Sequence, residues 1–230
     1  MVVIINQFHT IGDLLFEMPI ADKYISEGHK VLWAVMTHIL PIEKHFPQVT
    51  FMDKRLLNID YTRKDEYRFE NAIVIPLRFT DSILNVPYAD CMRSKYLYAG
   101  LPLETWRNLR WERDWENEKK LFYEVLGLSD GEEYNFINKS FRYDLSGQAE
   151  INIDNGLRNV EMQPISGFTI LDWGMVIENA TNIHTVSTAT FYMMEILNLT
   201  AKEINLYRRL PDEKDFKNIE YLCSKNYIFH

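Results

Sequence analysis

Short apolar runs alternate with stretches of helical periodicity along most of the chain. Residues 2–5 are continuously apolar and β-branched, which is typical of a strand buried on both faces of a parallel sheet. From Leu14 to Ile25 the apolar positions recur at helical spacing. Pro19 lies inside that stretch and is expected to kink the helix or to mark where its regular part starts. Residues 31–36 then predict a second buried strand.

The same alternation continues to residue 126. The pattern predicts a short helix over 41–46, strands over 49–52 and 72–77, a polar loop over 58–70, and helical stretches over 88–100 and 104–126. Gly127 is a suitable helix stop. We therefore place a domain boundary just after it, between residues 130 and 131.

The second half of the chain restarts the alternation. The pattern predicts strands over 134–137, 160–162, 183–186, 203–207 and 227–229, a polar loop over 141–156, and helices over 170–180 and 189–197. Repeated alternation of this kind implies right-handed βαβ units and parallel sheets. The predicted fold class is α/β, with two Rossmann-like domains, residues 1–130 and 131–230, facing each other across a cleft.

Composition narrows the classes of function. The chain has 230 residues, 47% of them hydrophobic, a net charge of −8 and no long basic run, so disorder and nucleic-acid binding are both disfavoured. Its two cysteines, Cys91 and Cys223, lack zinc-type spacing, which fits a reducing compartment. The sequence shows neither a signal peptide nor a run of about 18 apolar residues. We expect a cytoplasmic protein without a transmembrane segment.

Ligands of open parallel sheets bind beyond the carboxyl ends of the strands, near helix amino ends. The first such place is the segment after residue 5, where Gly12 allows a tight turn and Asp13 follows in the first helical turn. A carboxylate there would remove a proton from a sugar hydroxyl as a general base. The alternative is that Asp13 only caps the helix.

The second such place is the strand and turn over residues 183–190, which open a buried helix. Ser187, Thr188 and Ala189 would offer hydroxyl and amide donors to a nucleotide-sugar diphosphate, whereas the simpler interpretation makes Ser187 an ordinary helix cap. His184 is expected either to contact a phosphate or to pack as a hydrogen-bonded core residue.

Two charged residues of the second half are further candidates. Arg142 would neutralise the donor phosphates, or is a solvated loop charge, and Lys139 is a weaker candidate for the same task. Glu161 would accept hydrogen bonds from the donor ribose or pair with a neighbour. The Trp-rich stretch from Trp106 to Trp115 favours core packing over sugar stacking.

The sequence lacks the motifs of dinucleotide binding, ATP hydrolysis and serine hydrolases. The chain has no Gly-x-Gly-x-x-Gly turn, no Walker-type loop and no Gly-x-Ser-x-Gly elbow. It also has no clustered histidine ligands and no Asp-x-Asp pair for a manganese–diphosphate complex. We therefore predict no cofactor and no metal ion. Helix ends, hydroxyls and arginine would then stabilise the leaving group.

Residues 9–19, HTIGDLLFEMP, resemble the Gly-Asp-x-Leu-Leu…Pro opening of heptosyltransferase-like glycosyltransferases of the GT-B fold. Residues 182–197 resemble the strand, turn and helix that meet the donor in that family. The resemblance implies that Asp13 is the catalytic base, that His9, Thr10 and Gly12 line the acceptor side, and that the hydroxyls of Ser187 and Thr188 meet the donor phosphates.

These observations predict a metal-independent, inverting glycosyltransferase of polysaccharide biosynthesis. Its partners would be a nucleotide-sugar, bound by the second domain, and a glycan or other hydroxyl acceptor over the first. Two competitors stay open. One is a non-catalytic nucleotide- or sugar-binding module of the same fold, and the other is a Rossmann-like methyltransferase or epimerase.

Overall fold

A computed structural model describes residues 1–7, 10–87, 90–142, 146–209, 216 and 219–230. The chain divides into two compact units, Met1–Glu112 and Arg113–His230. Each unit contains a five-stranded sheet. The boundary chosen from the sequence, between residues 130 and 131, falls after the helical segment with which the second unit begins.

The first unit has a mainly parallel sheet. Its strands are β1 (Val2–Ile5), β2 (Lys30–Val35), β3 (Thr50–Asp53), β4 (Tyr67–Phe69) and β5 (Ala72–Ile75). They lie in the order β3-β2-β1-β5-β4, with β4 antiparallel to β5 and the other neighbours parallel. Ile5 at the end of the central strand pairs with Trp33 on one side and Ile75 on the other.

Among the described residues of this unit, three α-helices accompany the sheet. They are α1 (Ile11–Ser26), α2 (Thr80–Leu84) and α3 (Cys91–Tyr98). Helix α1 contains Pro19, and the residues from Leu14 to Ala21 are all buried. Tyr96 of α3 donates its hydroxyl to the Phe16 carbonyl of α1 at 2.6 Å, which fastens the two helices together. The fully buried rings of Phe16, Trp33 and Trp106 fill this core, each contributing on the order of 2–3 kcal/mol by burial.

The second unit has an all-parallel sheet. Its strands are β6 (Tyr134–Asn138), β7 (Arg158–Glu161), β8 (Asn182–Val186), β9 (Glu203–Tyr207) and β10 (Ile228–Phe229). They lie in the order β10-β9-β8-β6-β7. Its helices are α4 (Trp115–Lys119), which continues as a π-helical turn over Lys120–Val125, α5 (Gly174–Glu178) and α6 (Ala189–Ile196).

The predicted α/β class is confirmed, while two predicted elements are wrong. The loop predicted over 58–70 contains the edge strand β4, whose residues Tyr67 and Phe69 pack on the apolar cluster of Ile4 and Val74. The helix predicted over 104–126 is instead a 3₁₀ helix over Leu103–Asn108, an irregular stretch, and then α4. None of the helices in the described ranges combines the length and apolar character that a bilayer span requires.

Candidate functional site

Each sheet has a point at which the chain direction across the sheet reverses, and ligands of open α/β sheets bind there, beyond the carboxyl ends of the strands. In the first sheet this point lies between β1 and β5, and in the second it lies between β6 and β8. The residues that follow β1 and β5, or β6 and β8, are therefore the first places to look for a site.

The amino end of α1 follows β1. Thr10 is its N-cap, in extended conformation, and the Thr10 hydroxyl accepts a hydrogen bond from the Asp13 amide at 3.2 Å. The same hydroxyl donates to Oδ2 of Asp13 at 2.7 Å. Asp13 and Gly12 are partly exposed in the first helical turn. The Asp13 carboxylate is thus held at a fixed place, open to solvent, where it can accept a proton. His9 lies outside the described residues.

Two buried amides directly follow β1. Asn6 and Gln7 are 0% and 6% exposed, and Asn6 Oδ1 and Gln7 Oε1 have no hydrogen-bond partner among the described residues. Their backbones are fixed, since the Asn6 amide donates to the Ile75 carbonyl and the Trp33 indole donates to the Gln7 carbonyl. Buried acceptors of this kind cost free energy unless a donor reaches them. Both oxygens are shielded from solvent at the carboxyl end of β1, and neither residue was predicted from the sequence.

A buried ion pair lies one helical turn below Asp13. Glu17 is fully buried on α1, and its Oε1 is 2.5 Å from Nζ of Lys95 on α3. The Lys95 ammonium also donates to the carbonyl of Leu77, just beyond β5, at 3.3 Å. Burial raises the pKa of Glu17 to about 7 against the opposing pull of Lys95. Glu17 was visible in the sequence as the residue four positions after Asp13, whereas Lys95 gave no local signal.

In the second unit a single amide organises the corresponding point. Asn138 ends β6, and its Nδ2 lies 3.2 Å from the Thr185 hydroxyl, 3.0 Å from that of Thr188 and 3.0 Å from that of Thr190. The carboxyl end of β6 is thereby tied to the end of β8 and to the start of α6. Residues 185–190 were predicted from the sequence, whereas Asn138 was not, because its place beside them depends on the pairing of β6 with β8.

The amino end of α6 presents the predicted donor turn. Thr188 is the N-cap, Ser187 and Thr188 are partly exposed, and Ala189 is buried at the first helical position. The Thr188 side chain makes no capping bond to the helix. Amides in the first turn of a helix have no intrahelical partner and carry positive partial charge. This turn can therefore hold an anion such as a phosphate.

Charged side chains flank the same edge of the second sheet. Lys139, directly after β6, forms an ion pair with Glu161 at the end of β7, with Nζ 3.1 Å from Oε2. Arg142 is exposed in the following hairpin, in which the Phe141 amide donates to the Gly147 carbonyl at 3.0 Å. Glu161 therefore contacts Lys139, and Arg142, three residues after Lys139, is exposed on the surface.

His184 lies apart from the turn, inside β8. Its Nδ1 is 3.0 Å from the Tyr207 hydroxyl, and Tyr207 in turn stacks on His230 with ring centroids 4.5 Å apart. The residue is 6% exposed, and burial lowers the pKa of the imidazole, which favours its neutral form. His184 is thus hydrogen-bonded within the sheet through Nδ1, while its buried Nε2 has no hydrogen-bond partner among the described residues, and contact with a donor phosphate stays a prediction.

No group of three histidine, cysteine or acidic side chains is arranged as a metal ligand set in the part of the chain that the structure describes. The groups available at the two sites are thus a carboxylate, buried amides and a buried ion pair in the first unit. In the second unit they are hydroxyls, helix amides and an arginine. Such a set can bind a polar, anionic ligand and accept a proton.

The chain has two α/β units with mainly parallel sheets and polar groups at their reversal points, and solved structures share this fold. Dodecameric, iron-containing glycosyltransferase TibC from enterotoxigenic E. coli H10407 superposes with a TM-score of 0.51 at 13% identity, covering 90% of this chain and 57% of TibC. The heptosyltransferase TibC in complex with ADP-D-beta-D-heptose gives a TM-score of 0.53 at 12% identity, with the same coverage.

A third structure, E. coli heptosyltransferase WaaC with ADP, has a TM-score of 0.42 at 15% identity and covers 90% of this chain and 87% of WaaC. No protein-family model and no curated protein sequence matches the chain. The chain spans little more than half the length of TibC. What the likeness establishes is the fold, which is shared with glycosyltransferases.

Proposed function

We propose that this protein is a glycosyltransferase that moves a sugar from a nucleotide-sugar to a hydroxyl acceptor with inversion at the anomeric carbon. The observation that carries the proposal is the Asp13 carboxylate, held by Thr10 at the amino end of α1 beside the reversal point of the first sheet. The fold shared with TibC supports the same assignment.

The proposed reaction is a single displacement. The acceptor oxygen attacks the anomeric carbon while Asp13 takes its proton. The bond between that carbon and the diphosphate oxygen breaks, and its electron pair leaves with the nucleoside diphosphate. Attack from the face opposite the leaving group inverts the configuration. General-base assistance of this kind contributes on the order of 10²–10⁴-fold to a rate.

The second unit would bind the donor. Ser187, Thr188 and the amides at the start of α6 would meet the diphosphate, with Arg142 adding a bidentate contact. Glu161 would accept hydrogen bonds from the ribose once Lys139 is displaced from it. The charge that develops on the leaving group is then stabilised by the chain's own donors rather than by a bound metal ion, so EDTA should leave the rate unchanged.

The transfer requires the acceptor on the first unit to reach the donor on the second. The proposal therefore includes a GT-B arrangement in which the two units face each other across a cleft. Disulfide trapping tests this part: Asp13→Cys with Ser187→Cys should form a bond, directly or through a short bifunctional reagent, only if both residues line one groove. ADP-heptose, the ligand of one TibC structure, is the first donor to try.

The experiment for the base is Asp13→Asn. We expect kcat to fall by about 10²–10⁴-fold while the Kd of the donor, measured by calorimetry, stays within about twofold. Asp22→Asn is the matched control, because Asp22 lies on the same helix and outside the site. A fully active Asp13→Asn protein would remove Asp13 from the role of base.

A second candidate is a non-catalytic module that binds nucleotide-sugars. The specific observation in its favour is that the two hydrogen bonds between Thr10 and Asp13 are also those of a helix cap. Calorimetric titration with a panel of nucleotide-sugars, followed by an assay for transfer and donor hydrolysis, separates the candidates. Binding without turnover would favour the module.

A further inference from the structure

A polar stripe runs through the otherwise apolar contact between α1 and α3. Asp13 and Glu17 are four residues apart on α1 and so lie on one face of the helix. Lys95 on α3 meets Glu17 at 2.5 Å and the Leu77 carbonyl at 3.3 Å. Asp13 is close enough for its charge to act on both members of the pair.

The pair is buried to an unusual degree. The side chain of Glu17 is 0% exposed and that of Lys95 is 7% exposed. Removing two charges from water costs several kcal/mol per ion, and apolar residues of the same volume are often equally stable or more so. Stability alone therefore gives little physical reason for a Glu–Lys pair at this position. Its place directly beneath a solvent-open carboxylate suggests an electrostatic role.

The titratable groups around the pair can be named from each packed element. Helix α1 contributes Asp13, and α3 contributes Cys91, one turn before Lys95. Asp81 of α2 acts on Cys91, the thiol of which has its pKa raised by burial, so it stays neutral at pH 7. Near neutral pH the charge that Asp13 faces from inside the protein is thus set by Glu17 and Lys95.

We propose that Glu17 and Lys95 are positioning residues that together set the charge facing the Asp13 base. This inference rests on the proposed function, because it assigns the pair a role in the transfer at Asp13. When Glu17 is ionised, its negative charge offsets the positive charge of Lys95. When Glu17 is protonated, the positive charge of Lys95 is not offset. The ammonium then attracts the Asp13 carboxylate, which makes proton transfer from the acceptor to Asp13 less favourable.

The burial that raises the pKa of Glu17 to about 7 sets the pH at which this change takes place. The fraction of molecules with ionised Glu17 rises with pH through about 7, so kcat rises over the same range. The two members of the pair then have opposite effects on the reaction. A variant without the Glu17 acid should have the kcat of the wild type at low pH. A variant without the Lys95 ammonium should have the kcat of the wild type at high pH.

The test is the pH profile of kcat from pH 6 to 8 for wild type, Glu17→Gln and Lys95→Met. Glu17→Gln should lack the inflection near pH 7 and stay about 10-fold below wild type at pH 8. Lys95→Met should also lack the inflection but stay near the pH 8 wild-type rate at every pH. Glu27→Gln and Lys23→Met, which break the partly exposed ion pair near the end of α1, are the matched controls.

A merely structural pair would behave differently. Both substitutions would then lower kcat, and any inflection near pH 7 in the wild-type profile would come from another group and persist in both variants. That result overturns the inference. Thermal melting and near-ultraviolet circular dichroism establish that each variant folds. If Glu17→Gln does not fold, Lys95→Met decides alone: an inflection near pH 7 that persists in this variant rejects the inference, and its loss at an undiminished rate supports it.

A readout without turnover separates this inference from the proposed function. In protein labelled with ¹³C at the carboxyl groups, the Glu17 resonance should titrate near pH 7, and the Asp13 resonance should show a step at the same pH. That step should vanish in Glu17→Gln. Absence of the step in wild type overturns the inference. Failure of wild type to transfer from any donor, with the step present, overturns the proposed function and leaves the electrostatic coupling established.

Discussion

Asn138 and Glu17 illustrate how single buried polar side chains organise the two candidate sites. The Asn138 amide lies within 3.2 Å of three threonine hydroxyls and so joins two strand ends to the start of α6. Burial raises the pKa of the Glu17 carboxyl group, and Lys95 lowers it. Both side chains work through neighbours that are far from them in the sequence.

Glu17 should give the folded state a measurable pH dependence. Its pKa is raised from 4.5 to about 7 on folding, so between these values the unfolded chain loses the proton while the folded chain keeps it. The free energy of unfolding should therefore fall as pH rises through this window, by about 3 kcal/mol. Urea unfolding of wild type at pH 5, 6 and 7 measures the slope.

The double variant Glu17→Gln with Lys95→Met is the reference for that slope. It lacks the buried acid and its counter-charge, while the other carboxyl groups titrate as in wild type. The difference between the two slopes isolates Glu17. Equal slopes would show that Glu17 does not titrate in this window.

Among single residues of the candidate sites, those that come soon after a strand could be predicted from the sequence. Residues that lie at a site because an element distant in the sequence packs there could not. Asp13, Ser187 and Thr188 were identifiable because each comes soon after an apolar run. Lys95 lies near Glu17 only because α3 packs on α1, and no local pattern indicates that packing. The sequence also left the role of His184 open, which depends on Tyr207 in the neighbouring strand.

Among the elements, the strands were the most predictable because a buried parallel strand is a continuous apolar run. Nine of the ten observed strands overlap a predicted one; the exception is β4. Its residues Tyr67 and Phe69 stand among charged residues on an edge strand, where only one side chain in two contacts the core. The stretch from 104 to 126 has helical spacing of its tryptophans, yet Trp106 and Trp115 belong to separate elements.

The hairpin that carries Arg142 is sensitive to a single methyl group. A Cβ on Gly147 would lie 2.5 Å from Cε2 of Phe141 and 2.9 Å from Cγ of Arg142, so Gly147→Ala must displace both side chains. We expect a loss of stability of about 1–3 kcal/mol, as for other overpacked sites. If Arg142 binds the donor, the Kd of the nucleotide-sugar should rise as well.

Gln148→Ala is the control for Gly147→Ala. Gln148 is exposed, and its backbone forms the bridge to Ser140 that any side chain allows. Thermal melting and calorimetric titration of the two variants side by side measure both effects. Unchanged melting temperature and donor affinity in Gly147→Ala would show that the hairpin rearranges without cost.

Over the whole molecule, the decisive question is where one unit ends and the next begins. Arg113 pairs with Glu118 and with Glu178, and Glu118 also accepts a hydrogen bond from the Met175 amide at 2.7 Å. Phe122 packs against Tyr134 with ring centroids 6.4 Å apart. The segment from Arg113 to the end of the π-helical turn therefore belongs to the second unit. The sequence pattern did not indicate a unit that begins at Arg113. Gly127 predicted a helix end, and the boundary was therefore placed after it.

Two fragments test the extent of the second unit. We expect residues 113–230 to unfold in a single cooperative thermal transition. Residues 131–230 lack Leu121 and Phe122, each contributing on the order of 1.5–3 kcal/mol by burial. They also lack Arg113, which pairs with Glu178, and Glu118, which accepts a hydrogen bond from the Met175 amide. That shorter fragment should be largely unfolded at 25 °C by circular dichroism. Equal stability of the two fragments would contradict the assignment.

Asn135 of β6 is hydrogen-bonded to Asn155, which lies just before β7, and this pair has a consequence for how the protein ages. Asn155 precedes Gly156, the neighbour that least hinders attack of a backbone nitrogen on an asparagine side chain, the first step of deamidation. In the folded protein the Asn155 side chain is tied to Asn135 by reciprocal hydrogen bonds of 2.8 and 3.1 Å, and its oxygen also accepts from the Leu157 amide. These bonds hold the amide away from that chemistry. Conversion of Asn155 to aspartate or isoaspartate during storage would therefore record how often this edge of the sheet opens.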